Sequence, residues 1–335
     1  MIPAHPLAVN ASRRLDERRQ RALTRYYLDA GAGGLAVGVH TTQFAIHEPR
    51  RGLLQAVLQL AVETARTWRA PARRPVMIAG VIGHTRQAAR EAAMARDLGY
   101  DAVLLGLGSV ASASDDRLLA HSRAVAAMLP VMGFYLQPAV GGRVLSYRFW
   151  RQFTEIADVV AIKVAPFNRY ATLDVVRAVV DSGRANDIAL YTGNDDHILL
   201  DLLTRYHVGG EHPVRMVGGL LGHWAFWTRT AVRHHHACAA VARTGAPVPA
   251  RLLAAAAQVT DANGAIFDAA NDFRGCIPGI HEVLRRQGLL AGRWCLDPRD
   301  ELSPGQRVEI NRVCRMYPHF ADDGFVREHL EEWMA

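Results

Sequence analysis

The stretch Val159-Val160-Ala161-Ile162-Lys163-Val164-Ala165-Pro166 decides how this chain is read. Apolar residues flank one lysine over the length of a buried strand, and a proline closes it. Lys163 is the only lysine among 335 residues; every other member of the Lys+Arg total of 39 is arginine. A guanidinium stays protonated and is a poor nucleophile. An amine whose pKa is lowered by burial can attack a carbonyl and form a Schiff base. Arginine-biased coding alone could leave one lysine anywhere. Its place on an apolar strand, where an unpaired cation is costly, argues for chemistry.

Outward from that strand, apolar runs of strand length alternate with amphipathic helical runs. The strands read at residues 2–9, 34–39, 75–81, 101–105, 131–135, 159–164, 188–192 and 214–217. Helices read at 15–30, 48–68, 85–98, 115–128, 147–156, 173–180 and 196–206, with Ser114 as an N-cap. Eight strand-then-helix units with strands apolar throughout predict an α/β fold, a (β/α)₈ TIM barrel over residues 1–225. A doubly wound open sheet competes, but Asn10-Ala11-Ser12 is not the glycine-rich turn such a sheet carries after its first strand. Residues 226–335 contain only helical runs, at 226–243, 249–259, 264–272, 277–287, 305–317 and 325–333. They predict a C-terminal helical region packed on the barrel.

A net charge of +7 is spread along the chain rather than gathered in a basic block, so nucleic acid is not an expected partner. Cys238, Cys276, Cys295 and Cys314 lack CxxC spacing and suggest neither a zinc site nor a disulfide framework. The absence of a signal-like N-terminus and of an apolar run of about 18 residues points to a cytoplasmic protein without a membrane span.

In such barrels the site lies at the C-terminal ends of the strands. His40, Thr41 and Thr42 follow the second strand, Tyr135 closes the fifth, Lys163 the sixth, and Gly193-Asn194-Asp195-Asp196 follows the seventh. Tyr135 and Lys163 end neighbouring strands, so a phenol and an amine are expected to share one cavity. Carbinolamine formation and dehydration need a proton donor and acceptor beside the nitrogen, and a phenol can be both. Arg143, Asn168 and Gly219 lie near the expected mouth, where they are candidates for shaping the site or binding substrate. His234-His235-His236 sits on a helix, where successive side chains point about 100° apart, so no metal face is expected there. Trp224, Phe226 and Trp227 read as core or interface anchors. His40, His84 and His197 near strand ends raise a metallohydrolase reading. The His-x-His of such barrels' first strand is missing, since the sequence there is His5-Pro6-Leu7.

These residues together resemble the dihydrodipicolinate synthase/N-acetylneuraminate lyase family of class I aldolases, from about residue 21 to 219. Phe134-Tyr135-Leu136-Gln137-Pro138 resembles the family's Tyr-Asn-x-Pro segment, and Ala161-Ile162-Lys163 its Gly-Ile-Lys segment. The 28-residue spacing between Tyr135 and Lys163 is the family's own. Gly38-Val39-His40-Thr41-Thr42-Gln43-Phe44 stands where the family has Gly-Gly-Thr-Thr-Gly-Glu-Phe, and Gly193-Asn194-Asp195 resembles its Gly-Asp-Asp loop, a structural one.

The resemblance implies an imine between Lys163 and a 2-oxo acid, a proton shuttle at Tyr135 and carboxylate binding at Thr41. It implies a homo-oligomer without metal or cofactor. The departures are equally specific. His40 replaces the family's first threonine and could itself shuttle protons. No relay tyrosine stands near Leu107-Gly108-Ser109, and Val140 stands where the synthases place an arginine for the second substrate. Dihydrodipicolinate synthesis itself is therefore not expected. The expectation is a lyase acting on pyruvate or a 2-oxo sugar acid by C–C cleavage, C–C formation or dehydration. The alternative is a barrel that binds a small carboxylate or sugar acid without turnover.

Overall fold

Strands that are apolar on both faces need cover on both, and the chain supplies it with helices between parallel strands. The computed structural model describes residues 1–69, 74–209 and 213–335. The strands are β1 (Ile2–Pro3), β2 (Gly34–Val37), β3 (Val76–Val81), β4 (Ala102–Leu105), β5 (Val131–Leu136), β6 (Val159–Ala165), β7 (Ala189–Thr192), β8 (Arg205–Tyr206) and β9 (Val214–Leu221). Helices α1 (Glu17–Ala30), α2 (Leu54–Thr67), α3 (Thr85–Leu98), α4 (Asp115–Ala126), α5 (Tyr147–Phe153), α6 (Arg169–Asp181) and α7 (Ile198–Leu203) alternate with them. After β9 come α8 (Thr228–Thr244), α9 (Ala250–Ile266), α10 (Cys276–Arg286), α11 (Gln306–Met316) and α12 (Asp323–Met334).

The strand order is β1-β9-β7-β6-β5-β4-β3-β2, and a parallel bridge from Ala4 to Ala36 joins its two ends. This is an eight-stranded, nearly closed parallel barrel followed by helices, as the apolar alternation predicts. β8 lies off that path and pairs antiparallel with β9. Among the described residues, no helix is long and apolar enough to cross a membrane.

The chain's contacts form two compact units. One comprises Met1–Met77, Leu221–His234 and Ala257–Ala335. Its core is aromatic: Tyr26 and Tyr27 are fully buried, and the Tyr26 hydroxyl donates to Asp322 at 2.8 Å while accepting from the Thr228 N–H. Trp224, Phe226 and Trp227 are buried here as well. His5 is enclosed and hydrogen-bonded to Thr24 and Gln20.

The other unit comprises Ile78–Leu220 and His235–Ala256. Ser114, Ser146 and Asn168 cap α4, α5 and α6 by accepting backbone N–H groups with their side chains. Phe149, Trp150 and Phe153 of α5 are buried, Trp150 and Phe153 against β5. A Cβ at Gly133 would lie 2.6 Å from the Phe153 ring, which is why a glycine interrupts this strand.

Several boundaries differ from the sequence reading. The run at 2–9 makes only a two-residue strand and a bridge, because Pro3 and Pro6 donate no hydrogen bonds. The helix expected from residue 48 starts at Leu54, after 3₁₀ turns at Phe44–His47 and Pro49–Arg51. The helix expected to residue 206 stops at Leu203 and gives way to β8. β9 does not end at Gly218-Gly219 but runs on to Leu221. The helices expected at 249–259 and 264–272 are one continuous helix, α9, followed by a 3₁₀ turn.

Candidate functional site

Lys163 occupies the middle of β6, where the sheet holds it between Phe134 on β5 and Tyr191 on β7. Only 9% of it is exposed. Its amine stands 4.3 Å from the centroid of the Phe134 ring, a cation–π placement that partly offsets the lost water. Burial lowers the Lys163 pKa below the ordinary lysine value, and the Asp195 charge acts against that shift.

The end of β7 runs directly along the lysine stem. The Gly193 N–H donates to the Val164 carbonyl at 2.8 Å. A Cβ at Gly193 would lie 2.6 Å from Lys163 Cε and 2.8 Å from Ala165 Cβ, so only glycine fits there.

The next residue turns the other way. Asn194 is fully buried; its amide donates to Asp201 at 2.9 Å and to Thr172 at 3.4 Å, and its Oδ1 accepts from the Phe167 N–H at 3.0 Å. Asp201 of α7 is the hub of this layer. It is fully buried and accepts from Thr192 at 2.6 Å, Tyr206 at 3.1 Å and Arg169 at 2.6 Å. These ties fix the backbone of the turn. Phe167, which follows Pro166 at the end of β6, holds φ +50°, a strained geometry that the Asn194 bond helps to lock.

Asp195 follows, half-buried. Burial raises its carboxyl pKa, Lys163 opposes the rise and Asp196 adds to it. The sequence reads Gly193-Asn194-Asp195 as a structural loop.

Tyr135 is not on the lysine's face. Strand register pairs it with Val164, one step out of phase with the Phe134–Lys163 pair. It is buried with its ring centroid 5.2 Å from Trp150, and its hydroxyl donates to the Leu145 carbonyl at 3.1 Å while accepting from the Leu145 N–H. The shared cavity expected of phenol and amine is therefore replaced by a phenol on the α5 side.

Arg143 braces the segment after β4, donating to the carbonyls of Ala111 and Ala113 and to Asp115 at 3.0 Å. The Asn168 side chain caps α6 through the Ala171 N–H. Gly219 is paired with Thr192 inside the sheet.

His40, Thr41 and Thr42 form one 3₁₀ turn after β2. The Thr42 hydroxyl donates to the His5 carbonyl at 2.6 Å and accepts from the N–H groups of Gly38 and Val39, so it caps the turn. The Thr41 hydroxyl is buried and makes only a long 3.4 Å contact to the same carbonyl. His40 lines a cavity of about 250 Å³ with Gln43, Phe44, Arg274, Asp297 and Asp300. Among the described residues, no three His, Cys, Asp or Glu side chains are grouped to hold a metal ion.

Comparison with known proteins places the chain in a family. Residues 1–214 match the model of the dihydrodipicolinate synthetase family. No match was found among curated protein sequences. Among solved structures, the chain is similar to a prophage protein of the dihydrodipicolinic acid synthase family from E. coli K12 in complex with pyruvate. That likeness has TM-score 0.74 and 17% identity and covers 95% of this chain and 97% of the other. CdNal from Clostridium difficile in complex with mannosamine matches with TM-score 0.72 and 16% identity, over 95% of this chain and 98% of that one. A dihydrodipicolinate synthase from Bacillus anthracis matches with TM-score 0.72 and 20% identity, over 94% and 96%.

Proposed function

The chain belongs to the dihydrodipicolinate synthetase family, and from that premise we propose that it is a Schiff-base-forming class I aldolase or hydro-lyase acting on a 2-oxo acid. One observation carries the reading: the sole lysine is buried in mid-barrel against an aromatic ring, where burial favours its neutral, nucleophilic form. The imine formed on Lys163, once protonated, draws electrons from the adjacent carbon. It thereby stabilises the carbanion left when a C–C bond breaks or a proton departs. Thr41, whose buried hydroxyl makes a long 3.4 Å contact to the His5 carbonyl, is assigned to the substrate carboxylate. Assembly into a homo-oligomer belongs to the same reading.

Pyruvate is the first substrate to test, since the E. coli K12 relative was solved with it. Borohydride reduction in the presence of pyruvate and a panel of 2-oxo acids should give a stoichiometric mass adduct that Lys163→Arg abolishes. No adduct with any of them refutes the proposal. The second reading, a barrel that binds a small carboxylate or sugar acid without turnover, draws on Arg143 and Tyr135, both committed to backbone partners. It predicts ligand affinity unchanged in Lys163→Arg and turnover absent from both forms.

A further inference from the structure

Carbinolamine formation and dehydration need a group that gives and takes a proton beside the lysine nitrogen and the departing oxygen. The Tyr135 hydroxyl is committed to Leu145 on the opposite face of β5. Resting on the function proposed above and deepening it, we propose that the phenol of Tyr191, on β7, is the proton-transfer group for imine formation at Lys163.

The sheet itself makes the pairing. β6 and β7 are parallel, and their register sets Lys163 directly beside Tyr191. Residues paired in this way project to one face, while successive residues along a strand project to opposite faces. The residues after Tyr191 show which face that is. The Thr192 hydroxyl donates to Asp201 of α7, so residue 192 faces the helix layer. A Cβ at Gly193 would lie 2.6 Å from Lys163 Cε, so residue 193 faces the lysine, and Tyr191 shares its face. On β5 the same alternation turns Tyr135 toward Trp150 and brings the Phe134 ring to the amine. Phe134, Lys163 and Tyr191 thus form one row across three strands. Beyond Tyr191 the row continues with Gly218 of β9, which brings no side chain to it.

The chemistry of the phenol agrees with that placement. Tyr191 is half-buried, and among the described residues its hydroxyl makes no hydrogen bond, so its O–H is uncommitted where that of Tyr135 is not. Burial alone acts on its ionisation and raises its pKa, which keeps the phenol protonated at neutral pH. Lys163 is the ionisable neighbour in the row, and Gly218 adds none. The hydroxyl is needed at the oxygen of a ketone already attached to the amine, so a bond between phenol and amine in the free enzyme is not required.

The steps balance with one phenolic proton. The neutral amine attacks the keto carbon; the N–C bond forms as the C–O π pair moves to oxygen, and the Tyr191 hydroxyl protonates that oxygen. The phenolate then takes a proton from the nitrogen, leaving the neutral carbinolamine. The phenol returns this proton to the carbinol hydroxyl, which departs as water while the nitrogen lone pair closes the C=N bond. The product is a protonated imine beside a phenolate, which solvent reprotonates.

The test is the rate of adduct formation with pyruvate, trapped by borohydride, in the wild type and in Tyr191→Phe. That variant loses one hydroxyl and no hydrogen bond, so its melting temperature should stay within about 1 °C of the wild type. Its adduct rate should fall by about 10²-fold or more, the reverse of the pattern expected when the Tyr135 hydroxyl is removed. A second protein carries a ring-fluorinated tyrosine at position 191, which keeps the hydroxyl but ionises at lower pH. Its rate should decline at a lower pH than that of the wild type, over a range from about pH 6 to about pH 11. A role in packing alone would not move that limb, and this measurement serves even where the phenylalanine variant does not fold. A wild-type rate in folded Tyr191→Phe, or an unmoved limb in the fluorinated protein, overturns the role of Tyr191. Failure of the wild type to form any adduct overturns instead the function on which it rests.

Discussion

Gly193→Ala tests whether the end of β7 presses on the lysine as described. The added methyl would meet Lys163 Cε at 2.6 Å and Ala165 Cβ at 2.8 Å, both far inside normal contact. The lysine chain can bend away, but Ala165 belongs to β6, so the two strands must separate by several tenths of an ångström. Overpacking of this kind costs about 1–3 kcal/mol. At about 2.1 cal/mol/K per residue of unfolding entropy, a chain of 335 residues loses about 1.5–4 °C in melting temperature. The loss in chemistry should be larger than the loss in stability. A displacement near 1 Å of the amine from its attack geometry costs about 10²-fold in rate. Calorimetry and the borohydride-trapped adduct rate, measured on the same preparation, separate the two effects. An alanine variant with wild-type melting and wild-type adduct rate would refute the close approach itself.

Tyr135→Phe removes both hydrogen bonds to Leu145, and should cost about 1–2 kcal/mol of stability while leaving the adduct rate within a few-fold. A loss of several orders of magnitude in that rate would return the phenol to the amine. Asp201→Ala strands Arg169 and frees Asn194 and Thr192, so it should destabilise by about 3 kcal/mol, read by denaturant unfolding, and slow adduct formation as well. Unchanged unfolding would show that the hub does not hold the turn.

Burial lowers the pKa of His5 to about 4, His223 to about 3 and His281 to about 4. Below about pH 6.5 the unfolded chain binds protons that these folded histidines refuse. Stability present at pH 7 is therefore lost as pH falls toward 4, by about 1.4 kcal/mol per pH unit for each. Melting temperatures that stay level between pH 7 and pH 5 would contradict their burial.

Much of this was legible in the chain. Strands covered on both faces must be apolar throughout, so runs such as Val131–Leu136 and Val159–Ala165 stood out without any alternation. The lone lysine stood out by counting. The face of Tyr135 did not, because spacing along the chain says nothing of register between strands. The pairing of β5 with β6 slips between Val131 and Met132, and one residue of slip decides whether Phe134 or Tyr135 meets Lys163. The ties of the turn after β7 were hidden for a similar reason. Asn194 and Asp195 are adjacent in sequence, yet one is tied to Thr172 and Asp201 while the charge of the other acts on the lysine amine. Gly218 and Gly219 read as a stop because glycine ends many strands, whereas here both lie within β9.

A protein with a single lysine side chain, and that one buried in mid-barrel, has an unusual relation to acylating metabolites. In most proteins, lysine acetylation is scattered over many surface amines and only a few events matter. Here no surface lysine exists to absorb the reagent. Occupancy of the modification and loss of the proposed nucleophile would be the same number, readable from one peptide.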